Sequence, residues 1–132
     1  MAVIPREFDW SLPEHRGILG HIDESGVVTF IISAGEGSPV RGTELFNRMM
    51  QTFGDDVRAI HGRWVKGSQG WPSTNIDKVN ELTATGVPLE DAIQHAWTVT
   101  RARKLGFLKV RLLQQPDGTP GAFKQIDVLI EK

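Results

Sequence analysis

The chain has 132 residues, 39% hydrophobic and 23% charged, the profile of one soluble globular domain able to bury a core without staples. It has no cysteine, which excludes a disulfide framework, a thiolate nucleophile and a thiolate metal site. No run approaches the ~18 apolar residues of a membrane span, and the N-terminus lacks a signal-peptide apolar stretch, so no membrane association is expected. Charge is uneven. Residues 1–56 carry 4 Lys/Arg against 9 Asp/Glu, whereas residues 57–132 carry 11 against 7, which totals −1. One face meeting an anion would produce this asymmetry, as would two halves that attract each other.

Along the chain, Phe8, Trp10 and Leu12 alternate within residues 1–15, which predicts an edge strand or an extended N-terminal arm. Arg16–Asp23 and Val27–Ala34 predict a β-hairpin turning at Glu24-Ser25-Gly26, with Val27–Ile32 dense enough in β-branched residues for a strand buried on both faces. Leu45, Phe46, Met49, Met50 and Phe53 form one apolar helical stripe, with Thr43 as the expected N-cap and Gly54 at the C-terminus. Val57–Val65 predicts a strand with a bulge at Gly62, followed by a polar, glycine-rich loop from Lys66 to Thr74. A short helix capped by Asn75 comes next, with Ile76, Val79 and Leu82 inward. A further helix opens at Pro88, turns Leu89, Ala92, Ile93, Ala96, Trp97 and Leu105 inward, and ends at Gly106. Phe107–Leu113 and Lys124–Glu131 predict two closing strands, with Ile126, Val128 and Ile130 on the face opposite Asp127, Leu129 and Glu131. The expectation is a single α/β (α+β) domain over residues 1–132, with a central mixed β-sheet flanked by about three helices.

The segment from Gly35 to Leu45 carries a strand through a glycine-rich loop into a helix N-terminus, where main-chain N–H groups and the helix dipole make a seat for an anion. Arg41 adds a bidentate cation, whereas Glu44 opposes one. A capped helix after a flexible loop has the same pattern. With the order of elements, Val40-Arg41-Gly42-Thr43-Glu44-Leu45 and Arg101-Ala102-Arg103-Lys104-Leu105-Gly106-Phe107 resemble the loop and late helix of the Gcn5-related acetyltransferases. Val40 stands where the first loop glycine would be, and the chain has no tyrosine to match the general acid of many members. The resemblance implies an acetyltransferase-like order and acyl-coenzyme A (acyl-CoA) held by its pyrophosphate at Val40, Arg41, Gly42 and Thr43. It also implies His61 near the acyl group as general base, with Arg63 beside it.

A second resemblance covers most of the chain. Arg16-Gly17, Val40–Asn47, Phe53-Gly54, Ile60–Trp64, Asn75 with Asn80, Ala96-Trp97-Thr98 and Gly106-Phe107 resemble C-terminal toxin domains of bacterial polymorphic toxins of the Rhs and filamentous-haemagglutinin types. That resemblance implies interbacterial competition: an effector secreted by the producing bacterium, acting in the target-cell cytoplasm on RNA or protein, and neutralised by a cognate immunity protein.

His15, His21, His61 and His95 show no metal-ligand spacing, so no metal is expected. Arg16, Ser33 and Glu131 follow the order of ADP-ribosyltransferase residues, which keeps NAD as an alternative cofactor. The basic residues Arg58, Arg63, Lys66, Arg101, Arg103, Lys104, Lys109 and Arg111, with Trp64 and Trp71 to stack bases, keep an RNA-cleaving enzyme open. A non-enzymatic protein-interaction module is the third alternative.

Overall fold

The computed structural model describes residues 6–34, 37–66 and 74–132. It is a mixed α+β chain whose six strands form one sheet: β1 (Arg6–Leu12), β2 (Arg16–Ile22), β3 (Val27–Ser33), β4 (Ala59–Val65), β5 (Lys109–Leu112) and β6 (Gln125–Glu131), in the order β1-β2-β3-β4-β6-β5. Four α-helices intervene: α1 (Gly42–Phe53), α2 (Thr74–Ala84), α3 (Leu89–Ala92) and α4 (Trp97–Lys104). No described helix is long and apolar enough to cross a membrane. The chain divides into two compact units, Met1–Ile60 and His61–Lys132, with the boundary inside β4.

In the first unit, β1, β2 and β3 form an antiparallel meander. The β2–β3 turn is organised by Asp23, whose Oδ1 accepts the N–H and O–H of Ser25 (2.8 and 2.7 Å) and the N–H of Val27 (3.0 Å). These bonds, the Ser25 hydroxyl first, hold the Asp23 carboxyl below the usual carboxylate range. The expected edge strand is present as β1, with Phe8, Trp10 and Leu12 half-buried on one face. β3 departs from its expected double burial: Val28 is fully buried, whereas Ile31 is 50% exposed, beside Leu19 of β2 at 45%. Its β-branched run therefore reflects strand propensity and cross-strand pairing, not two covered faces.

The stripe on α1 is as predicted, with Leu45, Phe46, Met49, Met50 and Phe53 all buried. It packs on the meander, where Gly20 leaves room for the Met49 thioether and Phe46 meets Phe30 at a ring-centroid distance of 5.4 Å. Each such side chain contributes roughly 1.5–3 kcal/mol on burial. The helix begins earlier than expected. Thr43 lies inside it, and the N-cap is Arg41, in extended conformation with no side-chain cap bond. Leu45 N–H already donates to the Arg41 carbonyl, so the helical hydrogen-bond pattern starts before Thr43 has a cap to make.

In the second unit α2 packs on α3 and α4, and Ile76, Val79, Ile93, Val99, Ile126, Val128 and Ile130 are buried. The helix expected from Pro88 to Leu105 is broken. Ile93–His95 is a 3-10 turn and Ala96 is extended (φ −63°, ψ 147°). The break has a visible partner in Asn75, whose Oδ1 accepts Thr98 N–H and whose Nδ2 donates to Thr98 Oγ1, both at 2.9 Å. Asn75, expected to cap its own helix, thus caps α4 from outside, and the Thr98 N–H is withdrawn from any bond to the preceding turn. With the axis broken there, Leu105 is 41% exposed and Trp97 is only half-buried, its ring under the Arg101 guanidinium at 4.6 Å.

Asn80 does similar work. Its Oδ1 accepts Phe123 N–H at 2.7 Å and its Nδ2 donates to the Phe123 carbonyl at 3.1 Å, so one amide completes the hydrogen bonding of a buried residue just before β6. Asn80→Ala leaves both main-chain groups unpaired, and a loss of about 1–3 kcal/mol is expected in urea unfolding. A loss below ~0.5 kcal/mol would show that water replaces the amide at no cost.

Candidate functional site

Strand alternation places His61 and Arg63 on one face of β4, with Gly62 and Trp64 on the other. A Cβ at Gly62 would lie 2.7 Å from Trp64 Nε1 and 3.0 Å from Val128 Cγ2, so the glycine admits the indole against the strand. Trp64 is accordingly buried at 6% exposure, which removes it as a base-stacking surface. Trp71, the other stacking candidate, falls outside the described residues.

His61 and Arg63 both reach Asp127 on β6. His61 Nε2 lies 3.2 Å from Asp127 Oδ1, and Arg63 Nε donates to the same oxygen at 3.2 Å. The second oxygen, Oδ2, accepts from Gln114 Nε2 at 3.0 Å and Gln125 Nε2 at 2.8 Å. Four side chains thus surround one carboxylate that is itself only 4% exposed. Burial works to raise its pKa. The hydrogen bonds from Gln125, Arg63 and His61, with the Arg63 charge, outweigh that effect, and the carboxyl is held below its ordinary value. It is therefore an anion at neutral pH and an acceptor toward every neighbour.

A carboxylate facing Nε2 favours the tautomer with the proton on that nitrogen, which leaves the Nδ1 lone pair to accept a proton. The ring is one-quarter exposed and Nδ1 makes no hydrogen bond among the described residues. Arg63, held through Nε, is 66% exposed. An imidazole and a largely exposed guanidinium therefore stand side by side on one face of β4.

The sequence-predicted pair His61 and Arg63 comes together here. The residue that joins them, Asp127, was legible only as an acid alternating with Ile126 and Val128. Gln114 and Gln125 carried no signal at all.

The predicted anion seat belongs to the first unit. Arg41 is exposed, Val40, Gly42 and Thr43 are half-buried, and Ser38 Oγ donates to the Val40 carbonyl at 2.7 Å. An open depression of ≈ 520 Å³ runs along most of the length of α1, lined by Arg41, Thr43, Glu44, Asn47, Arg48 and Gln51. Two arginines there face one glutamate. The Arg48 guanidinium also lies over the Trp10 ring at 5.6 Å.

Of the remaining candidates, Arg16 and Ser33 belong to the first unit and Glu131 to the second. Ser33 is buried opposite Gly17, Arg16 lies 3.7 Å from Glu14, and Glu131 accepts from Arg111 Nε at 3.0 Å. Among the described residues no group of three His, Asp or Glu side chains is placed to hold a metal. The chain matches no protein-family model, and no curated protein and no solved structure is significantly similar to it.

Proposed function

We propose that the chain is an acyltransferase-like enzyme domain of a bacterial antagonistic toxin, taking its acyl group from acyl-CoA and using His61 as the proton acceptor. The single observation that carries this reading is the buried Asp127 carboxylate, which aligns His61 and Arg63 on one strand face. The glutamine donors on Oδ2 satisfy a buried carboxylate in any role; what favours a general base is that the same carboxylate holds a one-quarter-exposed imidazole beside a largely exposed guanidinium.

The strand order supports the acetyltransferase-like part of the reading. The sheet has an antiparallel meander, a parallel step from β3 to β4 across α1, and a final antiparallel pair in which β6 and not β5 neighbours β4. The β3–β4 ladder consists of Val27↔Ala59 and Val28↔Ile60.

Acyl-CoA supplies a thioester carbonyl that an amine attacks, with expulsion of the thiol. The residues at the start of α1 fit its diphosphate: Arg41 offers a fork and the first turn of the helix offers main-chain N–H groups. Among the described residues lining that depression, Glu44 opposes the diphosphate. At the second station His61 takes the proton released by the attacking amine, and Arg63 orients an anionic group of the acceptor. Asp127 stabilises the imidazolium that results. The toxin role rests on the sequence resemblance and implies delivery into a target-cell cytoplasm and a cognate immunity protein.

Arg41→Glu places a carboxylate at the proposed diphosphate seat on an exposed position. Calorimetric titration with acetyl-coenzyme A is expected to show a fall in affinity of at least tenfold, with the circular dichroism spectrum unchanged. Unchanged affinity removes the α1 start from the mechanism.

A further inference from the structure

Beyond the proton acceptor, the same face of the second unit repeats one device. β5 and β6 pair antiparallel with Lys109 opposite Glu131 and Arg111 opposite Leu129, so Lys109 and Arg111 share the face that carries Asp127, Leu129 and Glu131. Arg111 Nε donates to Glu131 Oε1 at 3.0 Å, as Arg63 Nε does to Asp127. Two arginines therefore flank β6, one on each neighbouring strand, each tethered by Nε to a carboxylate of that strand. Their side chains are 66% and 59% exposed, and their terminal nitrogens make no hydrogen bond among the described residues.

Tethering through Nε removes rotamer freedom before any ligand arrives and leaves the Nη pair as the presented edge, the geometry that accepts two oxygens of one phosphate. The two strands that carry the arginines are separated by two inter-strand spacings, about 10 Å, too far for a single phosphate to bridge directly. Lys109, exposed next to Arg111, extends the row. The unit that bears it, His61–Lys132, has 10 Lys/Arg against 7 Asp/Glu, whereas Met1–Ile60 has 5 against 9. A partly open strand face with spaced cationic forks suits an extended single strand whose phosphates recur along its length.

We infer that this face, from Arg63 across β6 to Arg111 and Lys109, binds the phosphodiester backbone of single-stranded RNA, and that the acceptor amine is therefore carried on RNA. This rests on the proposed acyl transfer only for the role of the amine; the binding surface stands or falls separately. Arg63 takes the phosphate nearest His61, and Arg111 with Lys109 takes one farther along the strand.

The test uses the full chain and a fluorescent mixed-sequence single-stranded RNA of about a dozen nucleotides, read by anisotropy without acyl-CoA. Binding is expected to weaken with salt at a log–log slope of about −1.4 to −2, for two to three phosphate contacts at ~0.7 each. Arg111→Gln, outside the proton-transfer cluster, is expected to weaken binding about fivefold at low salt and to reduce the slope by ~0.7, while Lys78→Gln on α2 changes neither. Acetyl-coenzyme A affinity measured on the Arg111→Gln protein should be unaltered, which separates this surface from the α1 start. Absence of binding at low salt, equal binding by Arg111→Gln, or displacement by polyglutamate as readily as by unlabelled RNA each overturns the inference; the last assigns the face to an acidic protein segment.

Discussion

Asp127→Asn is expected to lower acyl transfer about a hundredfold while the sheet stays intact. The substitution keeps the volume but replaces a two-oxygen acceptor by one oxygen and one amide. In the wild-type chain Oδ1 serves His61 and Arg63, and Oδ2 serves Gln114 and Gln125. An asparagine satisfies one pair only. If its oxygen turns to the glutamines, its amide faces Nε2, the imidazole proton moves to Nδ1, and the base is lost. If it turns to His61 and Arg63, two glutamine amides meet a donor. Loss of a positioned general base is worth about 10²–10⁴ in rate. Thiol released from acetyl-coenzyme A in the presence of total RNA measures the effect, and the nitrogen NMR shifts of the His61 ring read the tautomer directly. Unchanged shifts with unchanged turnover would remove Asp127 from the mechanism.

The same residue makes stability depend on acidity. Its folded pKa is depressed, so its stabilising contribution is fully present above the unfolded value of about 4 and fades as pH falls below that through the lowered folded value. The melting temperature of the wild-type chain should therefore fall more steeply below pH ~4 than that of Asp127→Asn, and the two curves should converge in acid. Parallel curves would mean that the carboxylate gains nothing from its four donors.

Gly17→Ala is expected to be the most damaging single change of one methyl group in the first unit, at roughly 2–4 kcal/mol. Gly17 has φ +126°, a region that L side chains rarely adopt, and an added Cβ would collide with the Trp10 carbonyl oxygen while standing 3.1 Å from Leu12 N and Ser11 Cα. The neighbours are main chain of β1, which cannot move aside without giving up its pairing to β2 at Ser11↔Gly17. At about 4 °C per kcal/mol for a chain of this size, the melting temperature should drop by roughly 8–16 °C. A drop under ~3 °C would show that β1 relaxes freely.

Asn75 and Asn80 both spend their amides on the fold, one capping α4 and the other completing the hydrogen bonds of Phe123. Spacing in the sequence shows that two asparagines lie on one helix. It does not show that their partners are Thr98 and Phe123, 23 and 43 residues away.

Turn chemistry placed the hairpin at Ser25-Gly26, and local periodicity determined the mixed class, the buried stripe of α1 and the alternation that turns Asp127 away from Ile126 and Val128. The latter follow from the repeat of side chains along a helix or strand, which the chain carries in its own order. Only the tertiary structure decided that β6 lies beside β4, and hence that Asp127 meets His61 and Arg63 across more than sixty positions of sequence. It also decided that the helix after Pro88 breaks at Ala96, because the acceptor of Thr98 N–H comes from another helix. Contacts between distant segments depend on which faces are buried together, and periodicity within one segment carries no record of its partner.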